Sequence, residues 1–463
     1  MNRPPTVFVC SNCDAQSPKW TGQCLECGAW GTLQAGRAPA PNAKRAGAPA
    51  APAPAVTSLD QIESSRHSRA ATGIGEVDRV LGGGLVAGSV TLLGGEPGIG
   101  KSTLAMMICG ALAGRAGGKA VYVSGEESAG QVKMRADRLK MPSRNVFFLA
   151  ESSVGAIVAA LAKERPTFAV IDSIQTVYAD DIPAEAGAVN QIRGAAAEII
   201  AWAKGAGTPV LVIGHVTKEG QLAGPKTLEH LVDAVLSFEG ERSHPLRLLR
   251  ALKNRFGSTE ETGIFGMTEA GLEEIRNPSA YLLDERRSGA PGSVVSCVIE
   301  GTRPILVEIQ ALVQRTAFGY PTRRASGFDQ SRLEMLLAVL GRRGGVDLSQ
   351  HDVYVNVIGG LKVKEPAADL AVIAALASAS RDLPLPDGLA VWGEVGLGGE
   401  VRSVVSADRR VNEAKALGLT RIMTALPRSG RNRTDQAVVD VGTVQEAVAR
   451  LGQASPAKKR GAA

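Results

Sequence analysis

The 463-residue chain has no uninterrupted apolar run approaching the ~20 residues that a bilayer-spanning helix needs, and its opening MNRPPTVFVC has no long apolar core. A cytoplasmic location without a membrane partner is therefore expected. Cysteine is scarce, and four of the 6 fall within the first 27 residues, whereas Cys109 and Cys297 stand alone in apolar or strand-like contexts. That distribution argues against a disulfide framework and for a local metal site. Charge of one sign is not in large excess either. A formal net charge of +6 permits a polyanionic partner without requiring one.

The chain is too long for one core and implies two or three domains. Residues 1–33 form a Cys-rich module, and 34–56 are an Ala/Pro/Gly tract with cations but no acids or aromatics, which reads as a tether. From residue 57 to 271, nearly continuous apolar runs alternate with helix-like stretches: SVTLLGG, KAVYVSG, FAVIDS and PVLVIGH, with KSTLAMMICGALAGRA after the first and AAAEIIAWAKGAG before the last. Such alternation predicts a parallel sheet covered on both faces. Over 272–452, strand-like GSVVSCVIEG, RPILVEIQALV and DVYVNVIGGL alternate with helical SRLEMLLAVLGRR and AADLAVIAALASAS, predicting a second, α+β domain. Residues 453–463 are a basic tail.

The strongest motif is GEPGIGKS, which fits G-x-x-x-x-G-K-[ST] at a strand-to-helix junction. The loop of Gly95, Glu96, Pro97, Gly98, Ile99 and Gly100 wraps a phosphate of ATP with the backbone N–H groups of its residues other than the proline, and Lys101 reaches the terminal phosphates. The Ser102 hydroxyl ligates Mg²⁺, and Thr103 follows it into the helix. Such a cradle needs a carboxylate at the end of a neighbouring strand, and FAVIDS supplies Asp172 after four apolar residues, as a Walker B strand would; capping the next helix is its other reading. Hydrolysis also needs a group that orients water. VYVSGEES supplies Glu126 and Glu127, of which Glu126 is favoured and Glu127 reads as a helix-start carboxylate. His215 ends VLVIGH, where the γ-phosphate can be sensed, although a lone histidine is often structural.

Cys10, Cys13, Cys24 and Cys27 are spaced C-x₂-C-x₁₀-C-x₂-C, which closes a tetrahedral Zn²⁺ site with no position left for catalysis. Trp20, Trp30 and the glycines around them suit a zinc ribbon or knuckle, and a module this small takes its folding free energy from the metal. Near residue 253 the fragment LKNRFG sets Lys253 and Arg255 two positions apart. If the segment is extended, both side chains lie on one side. A solvated pair beside a turn glycine is the alternative.

The order strand, phosphate loop, helix, strand with glutamate, Walker B strand and strand with histidine resembles the RecA-like ATPase core. Together, the CSNC…CLEC module, the phosphate loop, KNRFG and a Lon-like C-terminal region resemble the bacterial RadA (Sms) recombination and repair family across nearly the whole chain. The fold implied is α/β: a RecA-like P-loop ATPase core with an N-terminal zinc ribbon or knuckle and a C-terminal α+β Lon-protease-like domain. The resemblance further implies a ring, expected to be a hexamer, that is a DNA-stimulated ATPase. It would move on single-stranded DNA and drive branch migration of recombination intermediates, with single-stranded and branched DNA and RecA recombinase as partners. By the same resemblance Lys253 and Arg255 meet the nucleotide of the adjacent protomer. TKEGQLAGPKTLEH after His215 lines the DNA path, with Lys218 and Lys226 as backbone contacts. An ATP-dependent switch or scaffold without motor activity is the alternative function.

Resemblance to Lon proteases also raises a peptidase. However, KEPAADL places Ala367 where a serine nucleophile is needed, and Asp408 falls about where the lysine base belongs. Without a hydroxyl and its activating amine, acyl transfer has no chemistry to run on. Residues 272–452 then read as a fold kept for assembly and a basic DNA surface. Arg323, Arg324, Arg342, Arg343, Arg409 and Arg410 are its candidate phosphate contacts.

Overall fold

The computed structural model describes residues 6–10, 16–17, 19–24, 30–31, 33–37, 58, 69–215, 226–240, 244–317, 319–427 and 435–452. Cys13, Cys27 and Lys218 lie outside these residues, and only the backbone of His215 and Lys226 is described. The chain divides into two compact units, one comprising 1–70, 85–94 and 105–234, the other 71–84, 95–104 and 235–463.

In the first unit, five strands stand in the order Val90–Gly95, Val210–His215, Phe168–Asp172, Ala120–Ser124 and Val146–Ala150. The last three are parallel, and in register Ser124 faces Asp172 and Ala150. Val210–His215 is parallel to Phe168–Asp172, and the Val210 N–H bonds to the carbonyl of Ser89 at 2.9 Å, so it starts beside Val90–Gly95. Every residue of VTLLGG, AVYVS and FAVID is buried. Strands without an exposed face require cover on both sides, which accounts for their unbroken apolar runs. The outer strand, VFFLA, is only half buried. Helices Lys101–Ala113, Ala129–Arg138, Val154–Glu164 and Val189–Ala206 connect these strands. Two of them start on serine caps: Ser128, in a capping box with Gln131, and Ser153.

The same unit holds the N-terminal module. Thr6–Cys10 pairs antiparallel with Gln16–Ser17 and with Leu33–Arg37, in a register that sets Cys10 opposite Leu33.

The second unit differs from a purely parallel expectation for the segment before residue 272. Leu246–Asn254, Thr262–Thr268 and Gly271–Glu274 are antiparallel neighbours. The links between them are too short for a parallel crossover, which takes a dozen residues or more. A seven-stranded sheet follows, ordered Arg323–Ser326, His351–Val357, Arg303–Arg315, Ser293–Glu300, Leu389–Val391, Arg421–Thr424, Val438–Asp440. Helix Asp369–Arg381 is buried at every residue from Asp369 to Ser378, which its run of alanines allows. One apolar cluster joins Leu246, Ile264 and Ile275 to residues between Val294 and Val448, so these strands and the C-terminal region share a core. Among the described residues, no helix is long and apolar enough to cross a membrane.

Candidate nucleotide site

Strand Val90–Gly95 runs into the phosphate loop, and Lys101 opens helix Lys101–Ala113. Glycine is required at 95 because a Cβ there would lie 2.5 Å from the Phe238 carbonyl oxygen, and at 100 because φ is +113°. Ile99 is buried and anchors the loop, while Glu96, Pro97 and Gly98 are exposed. Lys101 is only 4% exposed, and its ammonium donates to the carbonyl oxygens of Gly95 at 2.8 Å and Glu96 at 3.0 Å. Ser102 is half-buried and Thr103 buried in the first helical turn. A buried cation folded over a glycine loop at a helix N-terminus is a donor set that fits a phosphate.

At the carboxyl edge of the parallel sheet, Asp172 is 4% exposed and accepts a hydrogen bond from the Tyr122 hydroxyl. Tyr122 stands two residues before Ser124, the register partner of Asp172, so both side chains share one face. Burial, and then the neighbouring Asp172 charge, push the Tyr122 phenol far above its ordinary value, so it stays protonated and donating. Sequence reasoning passed over Tyr122; its signal is a polar-tipped ring in an otherwise aliphatic buried strand.

Glu126 and Glu127 separate cleanly. The Glu127 carboxylate is engaged on both oxygens by Arg135 of helix Ala129–Arg138, one contact being Arg135 Nη1 to Oε2 at 2.7 Å. Glu126 is exposed, and its Oε1 accepts from the hydroxyl of Ser173, the residue after Asp172. The structure thus holds Asp172 and Glu126 each by a hydroxyl, on adjacent strand ends.

His215 ends strand Val210–His215 as expected for its backbone. In KNRFG, strand Leu246–Asn254 stops at Asn254, and Arg255 sits in the turn beyond it, so strand alternation does not extend to Arg255. Lys253 is half-buried and Arg255 exposed. Asn254 builds the turn: its Oδ1 accepts from the Phe256 N–H at 3.0 Å, and its Nδ2 reaches the Val80 carbonyl at 3.5 Å.

Among the C-terminal arginines, Arg324, Arg342, Arg343 and Arg409 are exposed, and Arg323 is half-buried. Arg410 is a correction. It is fully buried, pairs with Glu365, and donates to the carbonyls of Cys297 and Val405, so it is an internal brace and no phosphate contact. Ala367 is buried and Asp408 is exposed in the first turn of helix Ala407–Ala416.

In the N-terminal module Cys10 and Cys24 are buried in one cluster with Leu33, with Phe8 packed against it. Trp20 and Trp30 are largely exposed, and the Trp20 indole N–H bonds to the Leu33 carbonyl at 3.1 Å. Two thiols, one from each Cys pair, buried in one small cluster suit a shared Zn²⁺. By contrast, burial pushes the Cys297 thiol up to about 12, and the Cys109 thiol is also raised, so neither offers a thiolate.

Comparison with known proteins agrees with this geometry. A family profile described as an AAA domain matches residues 57–221, and one described as a rubredoxin metal binding domain matches 8–35, the stretch holding all four clustered cysteines. The DNA repair protein RadA of Bacillus subtilis is 47% identical over 426 residues, covering 91% of this chain and 93% of its own. That of Pseudomonas aeruginosa is 47% identical over 455 residues, covering 98% and 99%, and that of Escherichia coli is 46% identical over 424 residues, covering 90% and 92%. Identity close to one residue in two over an alignment that spans the zinc-type module, the phosphate loop and the C-terminal region exceeds what a single shared domain would give, and this chain belongs to the RadA family.

Proposed function

We propose that this protein hydrolyses ATP in DNA repair, using the hydrolysis to move on single-stranded DNA and to promote branch migration of recombination intermediates. The observation that carries the reading is the polar edge of the parallel sheet, where Asp172 and Glu126 are held by the hydroxyls of Tyr122 and Ser173. Relatives bearing the name DNA repair protein direct the ATPase chemistry to DNA.

In this reading the loop from Gly95 to Gly100 and Lys101 bind the phosphates, and Glu126 accepts a proton from the attacking water. Ser102 and Asp172 would hold Mg²⁺, which neutralises phosphate charge when bound. Lys253 and Arg255 come from the neighbouring protomer of a hexameric ring and stabilise charge on the transferred phosphoryl group. His215 passes the change to the 217–230 loop, whose Lys218 and Lys226 grip the DNA backbone. Cys10, Cys13, Cys24 and Cys27 would hold Zn²⁺ in a module spanning 1–33. The ATPase domain then spans 57–271, and the Lon-like 272–452 is an assembly and DNA-binding domain, catalytically silent because Ala367 brings no hydroxyl. RecA recombinase is the proposed protein partner.

Phosphate release measured with and without single-stranded DNA, across a salt series, tests the reading. Stimulation by DNA that falls steeply as salt rises is expected from backbone contacts. A rate indifferent to DNA would replace the motor with the nucleotide switch or scaffold.

A further inference from the structure

The turn that follows Asp172 touches both neighbouring strand ends. The 3₁₀ turn Ile174–Thr176 leaves strand Phe168–Asp172, which lies between Ala120–Ser124 on one side and Val210–His215 on the other. Toward the first neighbour, Ser173 donates to Glu126, and a Cβ at Gly125 would come within 2.6 Å of Thr176 Oγ1. Toward the second neighbour stands Gln175. Among the described residues, both its amide atoms, Nε2 and Oε1, are buried without a hydrogen-bond partner. The amide lies against Gly214, where an added Cβ would be 3.8 Å from Nε2 and 3.2 Å from Leu92 Cδ1. Gly214 directly precedes His215, the last residue of its strand.

A buried amide with donor and acceptor both idle weakens the fold and calls for an explanation. Simple packing does not supply one, since an apolar side chain of equal length would fill the space without the penalty. The turn is also internally tied, because Thr176 Oγ1 donates to the Ser173 carbonyl at 2.9 Å. Ser173, which donates to Glu126, and Gln175, which lies against Gly214, therefore belong to one tied turn.

We propose that Gln175 is a positioning residue that couples hydrolysis at Glu126 to the exit of strand Val210–His215, its amide pairing with main chain there in one nucleotide state and standing unpaired in the other. An amide offers one donor and one acceptor, the complement of a peptide unit. This rests on the motor reading, in which Glu126 orients water and the segment after His215 contacts DNA.

The test uses the full-length protein carrying Gln175→Met, which keeps length and volume but removes both hydrogen-bonding atoms. Gln175→Glu, which keeps shape and an acceptor but loses the donor, serves as the second variant. ATP turnover is measured with and without an oligo-dT strand, alongside the melting temperature. For Gln175→Met, DNA-free turnover within about twofold of wild type, an equal or higher melting temperature, and loss of DNA stimulation are expected. The Gln175→Glu variant should lose stimulation as well. Wild-type stimulation in both variants would overturn the coupling role. A joint fall in melting temperature and DNA-free turnover, with the stimulation ratio preserved, would also overturn it, since that marks a structural amide. If the wild-type protein itself shows no stimulation, the motor reading fails, and that is a separate result which removes the basis of this one.

Discussion

Tyr122 and Asp172 show how a buried strand can carry a chemical role that aliphatic runs conceal. The phenol fills space in an apolar sheet and also satisfies a carboxylate that is almost wholly withdrawn from water. Tyr122→Phe keeps the ring and removes the donor, leaving Asp172 short of a partner on its buried side. A stability loss of about 1–3 kcal/mol is expected, with a drop of roughly tenfold in turnover as the aspartate loses its fixed position. Chemical denaturation and kcat measure the two. The phenol's pKa is raised in the folded state by burial first and by the Asp172 charge second. A group whose folded pKa is raised contributes fully below its unfolded pKa of about 10, and the contribution shrinks as pH rises beyond that value. The stability gap between wild type and Tyr122→Phe should therefore hold steady through neutral pH and narrow above about pH 10. A gap that widens with alkalinity would mean that the hydroxyl is not the donor.

Helix Gly75–Leu81 illustrates how short pieces are held by one well-placed carboxylate. Glu76 is 3% exposed; its Oε2 accepts the Ile264 N–H at 2.9 Å and the Arg303 guanidinium at 2.8 Å, tying helix, strand Thr262–Thr268 and strand Arg303–Arg315 together. Arg303→Ala strips this buried charge of its close cation, while Arg79 stands farther off at 3.9 Å. A loss on the order of 3–5 kcal/mol is expected in denaturant unfolding, and a change below 1 kcal/mol would contradict the view that the pair is a clamp. None of this was visible in the residues alone, because partners such as Glu76 and Arg303 lie far apart in the chain. The strands VTLLGG, AVYVS and FAVID were legible, since full burial writes itself as an unbroken apolar run. VFFLA was not singled out, because an outer strand with half-buried residues loses that signature. The phosphate loop and Asp172 were readable from spacing, as local backbone geometry dictates those residue types. The fate of Arg410 was not, since a cation's burial depends on a distant acceptor, here Glu365. Likewise, the short links around Thr262–Thr268 signal antiparallel pairing, but only the shared cluster with Val294–Val448 shows where those strands bury their side chains.

The proposed sharing of a nucleotide between protomers would explain why cations stand at the end of a strand in a turn built by Asn254 rather than beside the phosphate loop in sequence. Lys101 is folded over its own loop and supplies charge from within the chain. Under the proposed ring arrangement Arg255, exposed in the turn, would face a second copy's phosphates, and the half-buried Lys253 stem leaves a shorter reach. Such a division of labour has a consequence that no single-chain site can imitate. Lys101→Ala should abolish turnover by losing the cradle, and Lys253→Ala with Arg255→Ala should abolish it by losing the lever, each by about 10²-fold or more. Mixed in one assembly, some interfaces pair an intact cradle with an intact lever, and part of the activity should return. Phosphate release from titrated mixtures, with co-assembly verified by size and by pull-down of differently tagged subunits, reads this directly. Recovery should rise and fall with the mixing ratio as the intact interface does. Co-assembled mixtures that stay inactive at every ratio would place both functions in one chain and remove the ring from the catalytic argument.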